Sequence, residues 1–336
     1  MFWNRWSSER LGVVFAILSA LGFSLKAIFV KLAYMETSVD AITLLSLRMV
    51  FSFPAFLWVG LSSLRSGPKL SGRDWAFLIA LGLLGYYGSS ILDFMGLRYI
   101  SAGLERLILF TYPMLTILIG VAFMGKTFDR IEIKSMILSY SGIALAFAHD
   151  LRIADDIRQV LLGAGFVFAA STVYAIYQAC SETAIKRFGV ARFSSLAMLV
   201  SVAATELHFF AVQPLSALVL PASVYFYGIG MAVFSTVMPV FMLSASTRRI
   251  GAGRTALIGA LGPVLTIFFG WRFLGENISL AQIAGTLLVL SGVLLVGNVN
   301  RKSSGGNKSP GSAATGSSKK SEVPERLPPA NARKDP

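Results

Sequence analysis

Several ionisable residues lie inside long apolar stretches of this chain, where a charge is unfavourable. They are Lys26, Arg48, Asp93, Glu105 and Arg106. A charged side chain at the middle of a bilayer costs about 2.5 to 3.5 kcal/mol even on insertion scales, so such residues usually face a wet interior or pair with one another. Lysine and arginine bind carboxylates or phosphates, whereas acidic side chains bind a cationic group or a proton. The residues therefore predict a polar site for a charged, amphoteric small molecule.

Two interpretations of these charges are open from the sequence. In the first, Lys26 pairs with Asp93, or Arg48 pairs with Glu105, and the ion pairs lock helices together, because buried ions need partners in any case. In the second, the same side chains contact a solute. Glu105 and Arg106 do not pair on one helix face, since adjacent side chains of a helix diverge.

Helical spacing places further polar side chains beside these charges. Residues at i, i+3 or i+4 and i+7 share one face of a helix. Such faces are formed by Ser19, Gly22 and Lys26, by Tyr86, Ser90 and Asp93, by Glu105, Tyr112 and Thr116, by Ser171, Tyr174 and Gln178, and by Thr255, Gly262 and Thr266. We predict that the substrate-binding residues are Lys26, Arg48, Tyr86, Ser90, Asp93, Glu105, Tyr112, Thr116, Tyr174, Tyr177, Thr255 and Thr266.

The elements that must position these residues are membrane-spanning helices. The chain is 55% hydrophobic and 14% charged, with a mean hydropathy of +0.68, and its apolar runs are longer than a soluble core buries. With about 20 residues for each crossing, the sequence predicts an all-α integral membrane protein of ten transmembrane helices. The predicted spans are 11–31, 41–62, 75–96, 103–124, 130–148, 160–183, 193–213, 222–246, 252–274 and 279–298.

The same unit occurs twice in the chain. Residues 98–145 return at 248–295 with a constant offset of 150 and no gap, and a fixed register of this kind indicates an internal repeat. The copies, 11–148 and 159–298, take five predicted helices each. An odd number of spans separates equivalent helices, so the second copy is predicted to be inverted in the bilayer, as is typical of secondary transporters.

The charges of the loops predict the orientation. Loops 63–74, 125–134, 184–192 and 247–254 are rich in Lys and Arg, and cytoplasmic loops carry such an excess. We therefore expect a multi-pass protein of the cell inner membrane with both termini in the cytoplasm. Residues 299–336 are basic and poor in apolar side chains, which predicts a disordered cytoplasmic tail. Contact of this tail with anionic lipid headgroups is the alternative.

Other chemistries are disfavoured by the sequence. One cysteine and two histidines cannot form a disulfide, a cysteine metal site or an HExxH box, and we expect neither a metal nor a cofactor. Residues 120–127 match the phosphate-binding pattern GxxxxGKT, but they end an apolar span rather than join a strand to a helix. The net charge of +13 lies in short loops and the tail, so topology explains it better than nucleic-acid binding does.

Two smaller features concern packing and proton movement. Ser135 and Gly142 recur as Gly285 and Gly292, on one side of the fifth and tenth predicted helices, and small residues of this kind let helices approach closely. His208 lies in the outer part of the seventh predicted span. It is either part of a proton relay or a hydrogen-bonding residue that packs helices.

Each copy also carries one motif: Ala-Gly, then Pro-x-Leu-Thr-Ile, then a glycine before a polar loop. The motif occupies 102–125 and 252–275, and Glu276 follows the second copy whereas Lys126 follows the first. Together with Arg48 in Leu-Arg-Met, this pattern resembles the EamA family of the drug/metabolite transporter superfamily, in which a glutamate is usual at the position of Lys126.

The resemblance implies a function for the whole membrane region. It implies a secondary transporter, not an enzyme, that exports a small polar organic metabolite by alternating access. The expected partners are the solute, the lipid bilayer and, as a candidate, a coupling proton. A polytopic membrane enzyme acting on lipid and a passive solute channel are the alternatives, although the sequence has no convergent catalytic set.

Overall fold

The structure is a computed structural model that describes residues 2–66, 69–125 and 130–305. The regular secondary structure of these residues is helical. The helices of the first half are α1 (Phe2–Glu36), α2 (Ala41–Ser66), α3 (Gly72–Leu81), α4 (Ser89–Gly96), α5 (Ala102–Leu109), α6 (Tyr112–Met124) and α7 (Arg130–Ile153). Those of the second half are α8 (Ile157–Phe188), α9 (Val190–Val212), α10 (Ala222–Ala232), α11 (Met238–Ile250), α12 (Ala252–Gly259), α13 (Gly262–Phe269) and α14 (Leu280–Gly305). Lys126 and most of the predicted tail lie outside the described residues.

Long apolar helices dominate the described chain. Seven are long and apolar enough to cross a membrane: Ser8–Glu36, Ala41–Arg65, Gly72–Gly96, Ala102–Phe123, Ile157–Ser181, Val190–Val212 and Ala222–Ile250. Two shorter apolar helices, Gly262–Leu274 and Leu280–Leu295, follow them. The protein is therefore a multi-pass helical membrane protein, while the count of ten spans and the inversion of the second copy stay predictions.

The two copies share two backbone irregularities as well as much of their sequence, although the π-helical turn Gly270–Leu274 has no equivalent in the first copy. Each third predicted span contains a π-helical turn, Gly82–Gly88 in the first copy and Val233–Val237 in the second. Each fourth predicted span ends on a glycine in the left-handed region, with φ of 65° at Gly125 and 67° at Gly275. Side chains other than glycine rarely adopt this conformation. The similarity between the two copies therefore extends from the sequence to the backbone conformation.

The fourth predicted span of each copy is a broken helix rather than a continuous one. In the first copy α5 ends at Leu109 and α6 begins at Tyr112, with Pro113 in its first turn. In the second copy α13 begins at Gly262 with Pro263 in its first turn. Proline lacks an N–H and fits only the start of a helix, so each proline marks a restart.

The helix of the fifth predicted span, α7, packs against α14 through small residues, as the sequence predicted. A Cβ atom on Gly285 would lie 2.5 Å from the carbonyl oxygen of Gly142, and one on Gly292 would lie 2.7 Å from the carbonyl oxygen of Ser135. Such distances are too short for a real Cβ contact, so α7 and α14 touch backbone to backbone. This contact is the membrane form of small-residue helix packing.

An ion pair ties two of the basic loops together at one end of the molecule. Asp74, which forms a capping box with Ser71 at the start of α3, accepts from Arg187 at 2.8 Å between Nη1 and Oδ1. Loops 63–74 and 184–192 therefore meet at the same end. We call this the inner end and the opposite one the outer end, after the predicted orientation.

Candidate functional site

A buried cluster of three charges lies where α1, α4 and α5 meet. Lys26 Nζ contacts Asp93 Oδ2 at 2.5 Å and Glu105 Oε1 at 3.2 Å. The side chains are 14%, 3% and 0% exposed respectively. Both carboxylates thus share one ammonium group away from bulk solvent, and we call this group the charge cluster.

The turn between α4 and α5 brings the two carboxylates together. Asp93 lies one turn before the end of α4, and Glu105 lies in the first turns of α5. Ser101 begins α5 as its N-cap, with its Oγ accepting from the backbone N–H of Leu104 at 3.1 Å. An acidic side chain near a helix N-terminus is also favoured by the helix dipole. The predicted pair of Lys26 with Asp93 is confirmed, with Glu105 as a second partner.

Arg48 differs from Lys26 because no carboxylate among the described residues lies within ion-pair distance of it, although the charge of Asp93 acts on it from further away. Its Nη2 donates to Ser90 Oγ at 3.0 Å, and its guanidinium carbon lies 5.1 Å from the centroid of the Phe94 ring. The residue is only 5% exposed. Among the described residues no ion pair includes Arg48, so the predicted pair with Glu105 is wrong. The reason is that Glu105 faces Lys26 instead.

Four tyrosines predicted for the site form a continuous aromatic row. Ring centroids are 5.0 Å apart for Tyr112 and Tyr174, 5.5 Å for Tyr174 and Tyr177, and 5.3 Å for Tyr177 and Tyr86. The hydroxyl of Tyr177 donates to that of Tyr86 at 3.2 Å. The row therefore connects α6 and α8 with the π-helical turn that precedes Ser90 and Asp93.

The hydroxyl groups of the three predicted threonines lie within hydrogen-bond distance of backbone carbonyl oxygens. Thr116 Oγ1 donates to the carbonyl oxygen of Tyr112 at 2.8 Å, and Thr255 Oγ1 donates to that of Gly251 at 2.9 Å. Thr266 is fully buried, and its Oγ1 lies 3.5 Å from the carbonyl oxygen of Ser24. In this state the three hydroxyl groups bond to carbonyls within or between helices.

Three other residues predicted to face a cavity pack against neighbouring helices instead. Ser19 Oγ donates to the carbonyl oxygen of Pro239 at 2.9 Å, and Gly22 also lies against Pro239. Ser171 Oγ donates to the carbonyl oxygen of Leu109 at 3.0 Å. That part of the prediction is wrong, because helical spacing identifies a polar face without telling whether a helix covers it.

Several buried polar atoms of α2, α4, α5 and α9 lack a hydrogen-bond partner among the described residues. They are Arg48 Nε, Asp93 Oδ1, Glu105 Oε2, Ser201 Oγ and Thr205 Oγ1. An unsatisfied buried polar atom costs about 1 to 3 kcal/mol, and native proteins usually pair such atoms with water or a ligand. The atoms therefore mark a region that takes up polar molecules.

Of the serine and threonine in that set, helix register places Thr205 near the level of Arg48. Ser46 of α2 donates to Glu206 of α9 at 2.7 Å. Further along, a Cβ atom on Gly60 would lie 2.8 Å from Leu199. The two helices therefore run antiparallel, and Thr205 stands near the level of Arg48. We call Arg48, the charge cluster and these unsatisfied atoms the polar region; its members belong to α1, α2, α4, α5 and α9.

Some residues with clear roles were not predicted from the sequence. Glu276 of the second copy accepts from the backbone N–H of Ala102 at 2.8 Å and from that of Gly103 at 3.4 Å. The only signal for it was its alignment with Lys126. His208 Nδ1 lies 2.8 Å from the hydroxyl of Tyr87, which supports the helix-packing interpretation of that histidine.

A cavity of about 240 Å³ lies between α2, α4 and α9 at the outer end. It is lined by Asp40, Ala41, Ile42, Ile91, Met95, Arg98, Tyr99 and His208. Ile91 directly follows Ser90, the hydrogen-bond partner of Arg48. The cavity thus lies next to the helix turn that carries part of the polar region.

Comparisons with known proteins agree with this architecture. The EamA-like transporter family matches residues 10–148 and again residues 161–298. The chain is 31% identical over 287 residues to a protein named uncharacterized transporter YcbK of Bacillus subtilis (strain 168), covering 82% of this chain and 88% of that one. It is 24% identical over 226 residues to uncharacterized transporter YyaM of the same organism, covering 66% and 73%.

A solved structure has the same fold. It is titled "Crystal structure of protein" and superposes with a TM-score of 0.63 at 15% identity, covering 87% of this chain and 98% of that one. The family match extends over both copies and includes the helices that carry the charge cluster and Arg48. This chain belongs to the EamA-like transporter family.

Proposed function

We propose that the protein is a secondary transporter that moves a small organic solute bearing an acidic group by alternating access between its two copies. The observation that carries the proposal is Arg48, a buried guanidinium without a carboxylate partner among the described residues. A buried charge is strongly unfavourable unless it is paired. A carboxylate or phosphate group of the solute would supply the missing counterion.

The charge cluster has a different part in the proposal. Lys26 is already neutralised by Asp93 and Glu105, so it is a poor site for a second anion. Asp93 Oδ1 and Glu105 Oε2 have no N–H or O–H donor within hydrogen-bond distance in the part of the chain that the structure describes, and they are available to a cationic group of an amphoteric solute. A coupling proton is the alternative occupant. In this proposal, Lys26 forms the structural ion pair that holds helices together, whereas Arg48 contacts the solute.

The aromatic row supports a solute of organic rather than inorganic character. Tyr86 lies one turn before Ser90, and its ring is in edge contact with that of Tyr177. Tyrosine combines an apolar ring with a hydroxyl group, so it can contact the carbon skeleton of a solute and form hydrogen bonds with its polar substituents. We propose export as the direction, because the family resemblance favours it, and the inner membrane with cytoplasmic termini as the location.

Counterflow in proteoliposomes tests the proposal. Vesicles loaded with unlabelled organic acids, amino acids or neutral analogues are diluted into the labelled compound, and we expect saturable accumulation only for compounds with an acidic group. Arg48→Gln should lower that uptake by about 10-fold to 150-fold, since a hydrogen bond to a charged group contributes about 1.5 to 3 kcal/mol. Arg48→Lys should retain part of it.

A matched variant and two further results complete the test. Arg249→Gln changes an exposed arginine whose Nη1 binds the carbonyl oxygen of Ala245, and it should leave counterflow unchanged. Equal loss in both variants, at equal folded yield, would contradict the role of Arg48. Flux without saturation or counterflow would favour the passive channel instead.

A further inference from the structure

Glu276 joins the two copies through the backbone. It belongs to the second copy, yet its carboxylate accepts from the N–H groups of Ala102 and Gly103, in the first turn of α5, at 2.8 and 3.4 Å. The first N–H groups of a helix have no partner within the helix, and the helix dipole attracts a negative charge to them. The side chain of Ser101 accepts from the N–H of Leu104, and its carbonyl oxygen accepts from that of Glu105. The other two N–H groups of the first turn of α5 therefore depend on Glu276.

The position of Glu276 is fixed from its own side as well. Its backbone N–H donates to the carbonyl oxygen of Gly270 at 3.2 Å. A Cβ atom on Gly270 would lie 2.7 Å from Glu276 Oε2, so the carboxylate rests directly against that glycine. Gly275, with φ of 67°, turns the chain just before it. The carboxylate is thus held by a rigid turn rather than by a free loop.

The capped helix is the one that carries Glu105 of the charge cluster. Glu105 follows Gly103 by two residues. The hydrogen bonds from the first turn of α5 to Glu276 therefore also position Glu105, which is a partner of Lys26. Every contact in this chain of interactions lies at or near the outer end. A movement that separates Glu276 from the first turn of α5 would break the cap.

We propose that Glu276 is a latch that holds the outer end closed and releases α5 when that end opens. The inference rests on the proposed alternating access, because a latch matters only if the two copies move relative to each other. In this account Glu276 is a positioning residue and does not touch the solute. Its removal should shift the protein toward an outward-open state.

Distances between spin labels test the latch without any solute. Cys180 is the only cysteine, so Cys180→Ser gives a clean background for Arg98→Cys and Leu280→Cys. Both positions are exposed at the outer end, one just before α5 and the other at the start of α14. We expect one short distance for the parent protein. Glu276→Ala should raise the ratio of long to short distances roughly five-fold, the effect of losing a typical helix cap.

Asp156 provides a closely matched control. Its Oδ1 accepts from the N–H groups of Arg158 and Gln159 at 2.9 and 3.4 Å, which caps α8 within a single segment. Asp156→Ala therefore removes a helix cap of the same chemistry that does not bridge the two copies. We expect the label distances in this variant to match those of the parent.

Two results would overturn the latch: unchanged distances in Glu276→Ala, or the same shift in Asp156→Ala. Glu276→Gln serves if the alanine variant does not fold, because the amide keeps an acceptor oxygen but loses the charge. A smaller rise in the long distance is expected there, and no rise would equally refute the inference. A failure of counterflow would refute the proposed transport. The label distances would still show whether Glu276 holds α5 in place.

Discussion

Removal of Lys26 should destabilise the protein far more than removal of an exposed ion-pairing residue. Lys26→Met leaves Asp93 and Glu105 without their shared counterion, at side-chain exposures of 3% and 0%. Breaking a buried ion pair by removing one partner costs about 3 to 5 kcal/mol, because an uncompensated buried charge remains. We expect a loss of stability in that range.

The control is the ion pair between Glu9 and Arg254. These side chains are 53% and 51% exposed, and an exposed pair contributes at most about 1 kcal/mol. Unfolding of detergent-purified protein in increasing SDS, followed by tryptophan fluorescence, gives both values. Glu9→Gln should change the free energy of unfolding by less than about 1 kcal/mol.

A double-mutant cycle separates the charge interaction from other effects of the substitutions. Asp93→Asn in the background of Lys26→Met should cost less than it does alone, because the charge it removes has already lost its partner. For residues in direct contact the coupling free energy is about 0.5 to 3 kcal/mol. A fully additive double mutant, or a Lys26→Met protein within about 1 kcal/mol of wild type, would refute the reasoning.

Three further predictions concern the aromatic row, the helix contact and the histidine. Tyr177→Phe removes the hydroxyl that donates to Tyr86 at 3.2 Å, and counterflow affinity should fall by no more than about 10-fold, the effect of one neutral hydrogen bond. Gly142→Leu should lower stability by about 1 to 3 kcal/mol in the SDS assay, because α7 and α14 have no room for a side chain there. His208→Gln should leave the pH profile of transport unchanged, and a shifted profile would restore the proton relay.

The sequence was sufficient for a multi-pass helical membrane fold and for some contacts among the predicted residues, such as that of Lys26 with Asp93. The apolar runs and the offset of 150 residues predicted helical spans and a duplicated unit, because both depend on local composition and register. Helical spacing also placed Asp93 and Ser90 on one face. Helical spacing does not identify the ion-pair partner on a neighbouring helix. For this reason Glu105 was predicted to pair with Arg48 rather than with Lys26.

Two features of the helices lie beyond what helical periodicity predicts. A threonine in a helix can donate to the carbonyl oxygen one turn earlier whatever surrounds it, as Thr116 and Thr255 do, so its presence on a polar face does not make it a solute contact. The break between α5 and α6 was hidden inside one apolar run. Pro113 was the only local sign of it.

The role of Glu276 could not be foreseen for a related reason. Its hydrogen-bond donors are the backbone N–H groups of Ala102 and Gly103, and backbone partners leave no mark in the side-chain pattern. Only the three-dimensional approach of the two copies reveals them. Interactions between distant segments are therefore the part of this site that required a structure.

The most direct test of the account is whether an acidic group stabilises the protein through Arg48. The measurement is the apparent unfolding temperature of purified protein with an organic acid that passes the counterflow screen and with its neutral amide, in wild type and in Arg48→Gln. A ligand that binds the native state raises this temperature. We predict that the acid stabilises wild type alone and that the amide stabilises neither protein. Equal stabilisation of both proteins by the acid, or of wild type by the amide, would contradict the account.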